Sequence, residues 1–436
     1  MERSRSEGQA WLLVGLLGLA TVSSYLDRGI IGVVAPDIRE DLQLSYTGLG
    51  LLQGIAFSFF FAIASLPMGR LVDAVNRRNL VITGIVLWSI AAMLCGVAQN
   101  YWELMLARAA LGIGEACLLP AAYSMVADSF APTRRGRPMS LIHLGTTIGA
   151  SASSIIGGTL LTFWDGRTVS LPLIGDTTTW RAVFLVSGMP GLLVAVLLLM
   201  LREPARGAQT VTDPADLTTV SYVEFLKSNS RLFIPLHINF AAIFFTVYAI
   251  ALWSPSILQE VYGLTRGEAG VATGRTMLIG AVAGTLVSAY LGDLIVRRNV
   301  PQGRFALSAW AMVAVVAGIV TLFVPSSFAF LVGFGLITFA AGVMTANGYP
   351  ALYDIVPTIT RGRAVAGYMV VANIFGVGGG TFAVGAVNDT IMSGKSSLVH
   401  SVLLVTSFSG LILGMTFIFA WRRYAELRHQ FLTTSS

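Results

Sequence analysis

The sequence predicts an all-α membrane protein with twelve transmembrane helices in two pseudo-symmetric bundles of six. Three observations predict it. About twelve apolar stretches have spanning length, one long polar stretch parts them six from six, and charged motifs of the first half recur in the second. Of the 436 residues, 55% are hydrophobic and only 11% charged. Soluble globular chains carry roughly 25% charged residues, so a soluble fold is excluded. The 46 glycines suit helices that approach closely in lipid, where small residues let backbones touch.

A helix needs roughly 20 apolar residues to cross a bilayer. Such stretches lie near 10–34, 46–71, 79–98, 101–128, 137–163, 181–201, 232–259, 268–292, 304–323, 328–353, 362–389 and 398–420. The first follows a short polar amino terminus without an A-x-A cleavage site, so it is expected to stay as a helix. The polar stretch from Arg202 to Arg231 holds Pro204, Asp213, Pro214 and Asp216. It divides the chain into an amino-terminal bundle (1–202), a cytoplasmic linker (203–230) and a carboxyl-terminal bundle (231–436).

Charge sets the orientation. Of the 28 basic residues, 26 are arginine, and the net charge is +6. With the amino terminus inside, the inner loops collect Arg70, Arg77, Arg78, Arg134, Arg135, Arg137, Arg297, Arg298, Arg361, Arg363, Arg422 and Arg423. The outer loops hold few, among them Arg39, Arg167, Arg266 and Lys395. Cytoplasmic loops carry the excess of arginine and lysine, and an even number of spans puts both termini in the cytoplasm. The basic residues form short clusters and no continuous face, so no nucleic-acid partner is expected. Cys95 and Cys117 fall inside spans and read as small buried hydrophobes. No metal-ligand spacing, HExxH, G-x-S-x-G or carboxylate–histidine cluster occurs, so no metal, cofactor or catalytic residue is expected.

An internal repeat joins the halves. Asp73, Arg77 and Arg78 follow the second span, and Asp293, Arg297 and Arg298 follow the eighth at the same spacing. The fourth span carries Pro120-Ala-Ala-Tyr123 before Arg135-Gly-Arg137; the tenth carries Pro350-Ala-Leu-Tyr353 before Arg361-Gly-Arg363. Repeated halves around a midplane site are a recurring transporter architecture.

Four charged residues sit deep inside spans of the amino-terminal half, Asp27 and Arg28 in the first and Arg108 and Glu115 in the fourth, while the carboxyl-terminal half has almost none apart from Arg275. A charge near the bilayer centre costs roughly 2.5–3.5 kcal/mol on insertion scales, so such residues are functional by default. Positions 108 and 115 share a helix face, separated by ~10 Å of rise. Asp27 and Arg28 lie at a similar depth, so the geometry allows one network across the two helices. Two readings compete: a permanent ion-pair lock, and an anion-binding, proton-responsive centre. Arginine grips phosphate bidentately, and a carboxylate in a low-dielectric cavity holds its proton more readily than in water. Four charges exceed what a single lock needs, which favours the second reading.

Two motifs carry a family resemblance. Gly69 to Arg78, GRLVDAVNRR, resembles the major facilitator superfamily signature between helices two and three, with Asn76 where the pattern has glycine. The physical sense is a conformational latch of Gly69, Asp73, Arg77 and Arg78, in which Asp73 pairs with arginines and a helix end. Asp293, Arg297 and Arg298 repeat it. Arg108 and Gly112 resemble a second motif of that superfamily. Tyr25-Leu26-Asp27-Arg28, with Arg108 and Gly112-Ile-Gly-Glu-Ala116, is similar to the spinster branch, which includes transporters of sphingosine-1-phosphate and lysophospholipids.

The resemblance implies the superfamily fold and secondary active transport of an amphipathic anionic lipid, coupled to protons. It implies Asp27 and Glu115 as the proton-coupling groups, Arg28 as a gate or charge partner, and Arg108 as the anchor for the head group. The rival within the class is a carrier of soluble organic anions or drugs; a membrane-embedded lipid enzyme is the more distant one. The fifth span has Gly145 and Gly149 but Ala150 where drug antiporters carry proline, which disfavours the drug exporter. Short loops fit a bacterial member in the plasma (inner) membrane, working as a monomer. Tyr25, Asn239, Tyr248, Asn347, Tyr368, Asn373 and Phe375 are weaker cavity candidates. His143 and His237 read as helix contacts, and the Gly376–Gly380 run as a close-packing or bending site.

Overall fold

The computed structural model describes residues 7–131, 134–164, 169–171, 175–206, 222–298, 300, 302–356, 361–392, 394 and 396–434. Among the described residues, twelve helices are long and apolar enough to cross a membrane. They are α1 (Glu7–Val33), α2 (Tyr46–Ala74), α3 (Arg77–Val97), α4 (Tyr101–Ser129), α5 (Gly136–Phe163), α6 (Thr179–Leu199), α7 (Ser230–Glu260), α8 (Arg266–Gly292), α9 (Arg304–Thr321), α10 (Ser327–Leu352), α11 (Gly367–Thr390) and α12 (Ser397–Gln430). The described strands, β1 (Val169–Leu171) and β2 (Gly175–Thr177), form an antiparallel hairpin with Ser170 opposite Asp176.

Polar side chains mark where spans begin, because the first turn of a helix leaves N–H groups without intrahelical partners. Asn76 accepts from the Asn79 N–H at the start of α3, and Asn100 from the Glu103 N–H at the start of α4. Before α8, the Thr265 hydroxyl accepts from the Glu268 N–H while the Glu268 carboxylate accepts from the Thr265 N–H, a reciprocal capping box. Interruptions inside spans are equally defined. α4 breaks at Ala116 and Cys117, directly after Glu115. π-Helical turns occupy Leu51–Ile55 in α2 and Ala372–Gly378 in α11.

The chain divides into two compact units. The first comprises Met1–Leu44, Ala56–Pro214 and Leu264–Gly274. Here α1 lies along α5 so closely that a Cβ on Gly149 would stand 2.4 Å from the Val22 carbonyl oxygen. α4 meets α2 through Gly112, where a Cβ would stand 2.6 Å from the Phe57 carbonyl oxygen. Leu13, Leu17, Phe57, Ile85, Trp88 and Leu111 are fully buried among these helices. Asp37 and Arg266 form an ion pair of 2.8 Å.

The second unit comprises Ser45–Ile55, Ala215–Gly263 and Arg275–Ser436. Its core is aromatic: Phe305 stacks on Tyr424 at 4.7 Å, and Tyr368 contacts Phe240 at 4.7 Å and His237 at 4.6 Å. Three hydrogen bonds from buried side chains link its helices. Trp253 Nε1 donates to the Thr381 carbonyl, Thr246 Oγ1 to Ser409 Oγ, and the Tyr424 hydroxyl to the Ala351 carbonyl. The Asp389 carboxylate accepts the Tyr46 and Thr47 N–H groups at the start of α2.

Candidate functional site

The four intramembrane charges come together in the first unit. Asp27 and Arg108 are wholly buried, Glu115 is 3% exposed and Arg28 8%. Arg28 Nη2 donates to Glu115 Oε2 at 2.6 Å, a charge-assisted bond from α1 to α4. The Arg28 guanidinium also lies 4.3 Å from the Tyr25 ring centroid, 4.2 Å from Phe57 and 5.1 Å from Phe61. Ring faces attract cations most strongly where water is excluded. Arg108 faces Phe57 at 5.6 Å. Phe57 is therefore a neighbour of both arginines.

Asp27 is held differently. Arg108 and Glu115 lie within its electrostatic reach and Ser187 lies beside it, yet neither carboxylate oxygen is hydrogen-bonded to an arginine among the described residues. Buried charges are usually paired and hydrogen-bonded, so this carboxylate marks a place where something besides packing sets the arrangement. Glu115 likewise engages one oxygen with Arg28 while Oε1 has no hydrogen bond among the described residues.

Local sequence explains the assembly. Gly112 and Gly114 let α4 approach α2 and α3 backbone to backbone, which carries Arg108 and Glu115 inward. Phe57 and Phe61, four residues apart on α2, stack on each other at 5.5 Å. Sequence reasoning missed both. Their spacing placed them on one face, but nothing local says that α1 and α4 lie opposite.

At the other sequence-read positions the outcome is mixed. Arg77, not Asp73, is the centre of the turn between α2 and α3. Buried to 2% exposure, it pairs with Asp128 of α4 and donates from Nε to Glu203 at 2.9 Å and from Nη2 to the Pro204 carbonyl at 3.0 Å. Asp73 is exposed, and its carbonyl, not its carboxylate, accepts from Arg206. This corrects the expected pairing of Asp73 with arginines: Arg77 opens α3 facing inward, where Asp128 and Glu203 lie. Those two acids were missed, although both stand at ends of apolar spans, where a carboxylate signals a basic partner. Arg78 donates to the Leu201 carbonyl at 2.5 Å, while Gly69 is exposed. Arg297 and Arg298 are exposed, and the Asp293, Tyr353, Arg361 and Arg363 side chains lie outside the described residues.

Of the weaker candidates, Tyr25 joins the cluster. Asn239 donates to Thr416 at 2.9 Å and Asn347 to Ser288 at 2.7 Å, so both amides link helices of the second unit. Tyr368 is buried in the aromatic core, and Tyr248 stacks with Phe244 at 6.4 Å. Asn373 donates to its own helix at the Met369 carbonyl. Phe375 is 63% exposed.

Comparison with known proteins agrees with this architecture. The family model described as Major Facilitator Superfamily matches residues 17–380. An MFS-type efflux pump of Mycolicibacterium smegmatis is 27% identical over 419 residues, covering 95% of this chain and 94% of its own. Protein spinster homolog 1 of Xenopus laevis is 26% identical over 435 residues, covering 93% and 80%. A crystal structure described as a bacterial homolog to the human lysosomal transporter Spinster, inward-facing and unoccupied, superposes with a TM-score of 0.82. It is 23% identical and covers 98% of this chain and 99% of its own. With twelve spans, a buried charge cluster between α1 and α4 and these likenesses, the chain belongs to the major facilitator superfamily and is homologous to its spinster branch.

Proposed function

We propose that this secondary transporter carries an amphipathic anion, a lysophospholipid or sphingolipid-like molecule, together with protons. The halves 1–202 and 231–436 alternate access to the two sides of the membrane. The observation that carries the reading is the balanced cluster of Asp27, Arg28, Arg108 and Glu115, in which Asp27 is hydrogen-bonded to neither arginine among the described residues. With all four ionised the cluster is neutral. Adding a proton alone leaves a buried positive charge, and adding a monoanionic head group alone leaves a negative one. Either imbalance is expensive in a low-dielectric site. Proton and anion together restore neutrality, which is a physical basis for coupled movement.

In this scheme, a proton taken up by Asp27 or Glu115 loosens the cluster, and on Glu115 it weakens the 2.6 Å bond to Arg28. Arg28 then moves as the gate, and Arg108, beside Asp27, anchors the phosphate. The apolar tail accounts for the preference for a lipid. The likeness to an efflux pump along 95% of the chain supports a second reading, export of drugs or soluble organic anions.

Uptake of a fluorescent lysophospholipid into proteoliposomes, with and without an imposed pH gradient, tests both. Gradient-driven movement is expected in the wild type, with loss of gradient dependence in Asp27→Asn and loss of movement in Arg108→Ala. Full transport by Arg108→Ala removes the anchor role. No lipid movement, with inhibition of another flux by small hydrophilic anions, selects the second reading.

A further inference from the structure

The end of α12 that follows its apolar stretch carries a groove that shares no residue with the charge cluster. It has a volume of about 650 Å³, within the roughly 300–1,000 Å³ of ligand sites. Ala309 of α9 forms one wall, and Ile418, Phe419 and Trp421 of α12 the other. Arg422, Arg423 and Glu426 form its polar rim.

The order along α12 is informative. Met415, Ile418 and Phe419 are largely exposed, and Arg422, Arg423 and Glu426 are exposed beyond them. Steps of three and four residues keep these positions on one helix face. That face passes from wholly apolar to basic within ~10 Å of helix rise. Neither arginine belongs to an ion pair among the described residues. Trp421 lies at the transition, and Trp310, just beyond Ala309, is 56% exposed. Tryptophan concentrates at the depth of lipid head groups. An apolar wall capped by two arginines matches one kind of molecule in both charge and polarity.

We propose that this groove binds an anionic glycerophospholipid of the cytoplasmic leaflet as a resident lipid, not as cargo. An acyl chain lies along Ile418 and Phe419, and the phosphate is held by Arg422 and Arg423 through paired N–H donors. Glu426 accepts hydrogen bonds from head-group hydroxyls, which selects a glycerol head over a carboxylated one. The arginine asymmetry puts this end of α12 in the cytoplasm, where basic pockets between helices meet anionic lipid. The site stands independently of the transport reading.

Thermal unfolding of the delipidated full-length protein in detergent micelles tests it. Dioleoylphosphatidylglycerol is expected to raise the midpoint by about 2–4 °C beyond dioleoylphosphatidylcholine. The double variant Arg422→Gln/Arg423→Gln is expected to lose that excess, and Arg422→Lys/Arg423→Lys, which keeps the charge but not the paired donors, to retain only part of it. Equal shifts from the two lipids overturn the proposal, as does a full excess in the glutamine variant. An equal shift from soluble glycerol phosphate also overturns it, since a free anion would then suffice. Should the glutamine variant not fold, native mass spectrometry of the wild type decides. Preferential retention of phosphatidylglycerol from an equimolar mixture supports the site; equal retention of both lipids refutes it.

Discussion

Arg28 is held in two ways at once, by the Glu115 carboxylate at 2.6 Å and by the faces of Tyr25, Phe57 and Phe61. The two contacts respond differently to mutation. Breaking a buried pair by deleting one partner costs about 3–5 kcal/mol, because the other charge stays behind without compensation. Glu115→Ala is therefore expected to lower the unfolding midpoint markedly; Glu115→Gln leaves the same charge on Arg28 uncompensated but keeps an acceptor oxygen for it, and is expected to lower the midpoint by a smaller but still clear amount. Thermal unfolding in detergent checks the order. Equal destabilisation by the two would show that the pair contributes through its charge and not through the hydrogen bond. The charged residues themselves were legible in the sequence, since an ionisable group inside an apolar run stands out. The aromatic residues around Arg28 were not, because a phenylalanine inside a membrane span looks like any lipid-facing residue until its neighbours are known.

At the scale of the helix, the site depends on how near α4 comes to α2. A Cβ on Gly112 would sit 2.6 Å from the Phe57 carbonyl oxygen and 3.1 Å from the Phe61 nitrogen, both backbone atoms that cannot swing aside. Gly112→Val is expected to destabilise the protein by about 1–3 kcal/mol, the usual range for overpacking. It should also impair transport, by moving Phe57 away from both arginines. Gly15→Val is the matched control, since a Cβ there meets nothing within 4 Å. A comparable loss of unfolding temperature and transport in the control would refute the close-approach argument. The spans were legible because lipid demands an unbroken apolar run of known length. The break after Glu115 and the partners of Arg77 were not, because they depend on which helix ends meet across 126 residues of sequence between Arg77 and Glu203.

For the whole molecule, the arginine distribution makes a topological prediction. In a background with Cys95→Ala and Cys117→Ala, a membrane-impermeant maleimide is expected to label Asn100→Cys in intact cells. It is expected to label Arg134→Cys only after permeabilisation. The opposite pattern would invert the topology and move Arg422 and Arg423 to the outer face. The twelve-span fold was legible because two halves of the chain repeat the same charged turns. The choice of cargo was less so: charge and greasiness are written in single residues, but the shape of a binding cavity arises only when helices distant in sequence meet.

The π-helical turns of α2 and α11 have a consequence for how this chain tolerates changes in length. A turn closed by i→i+5 bonds holds one residue more than the helix on either side requires. Losing one residue from Ala372–Gly378 would tighten that turn to an ordinary one and leave the flanking faces where they are. The same loss in the middle of α1 would rotate everything beyond it by about 100°, turning Asp27 and Arg28 away from α4. These two turns are thus places where single-residue insertions and deletions could be absorbed over evolutionary time, while the helices that carry the charges are fixed in length.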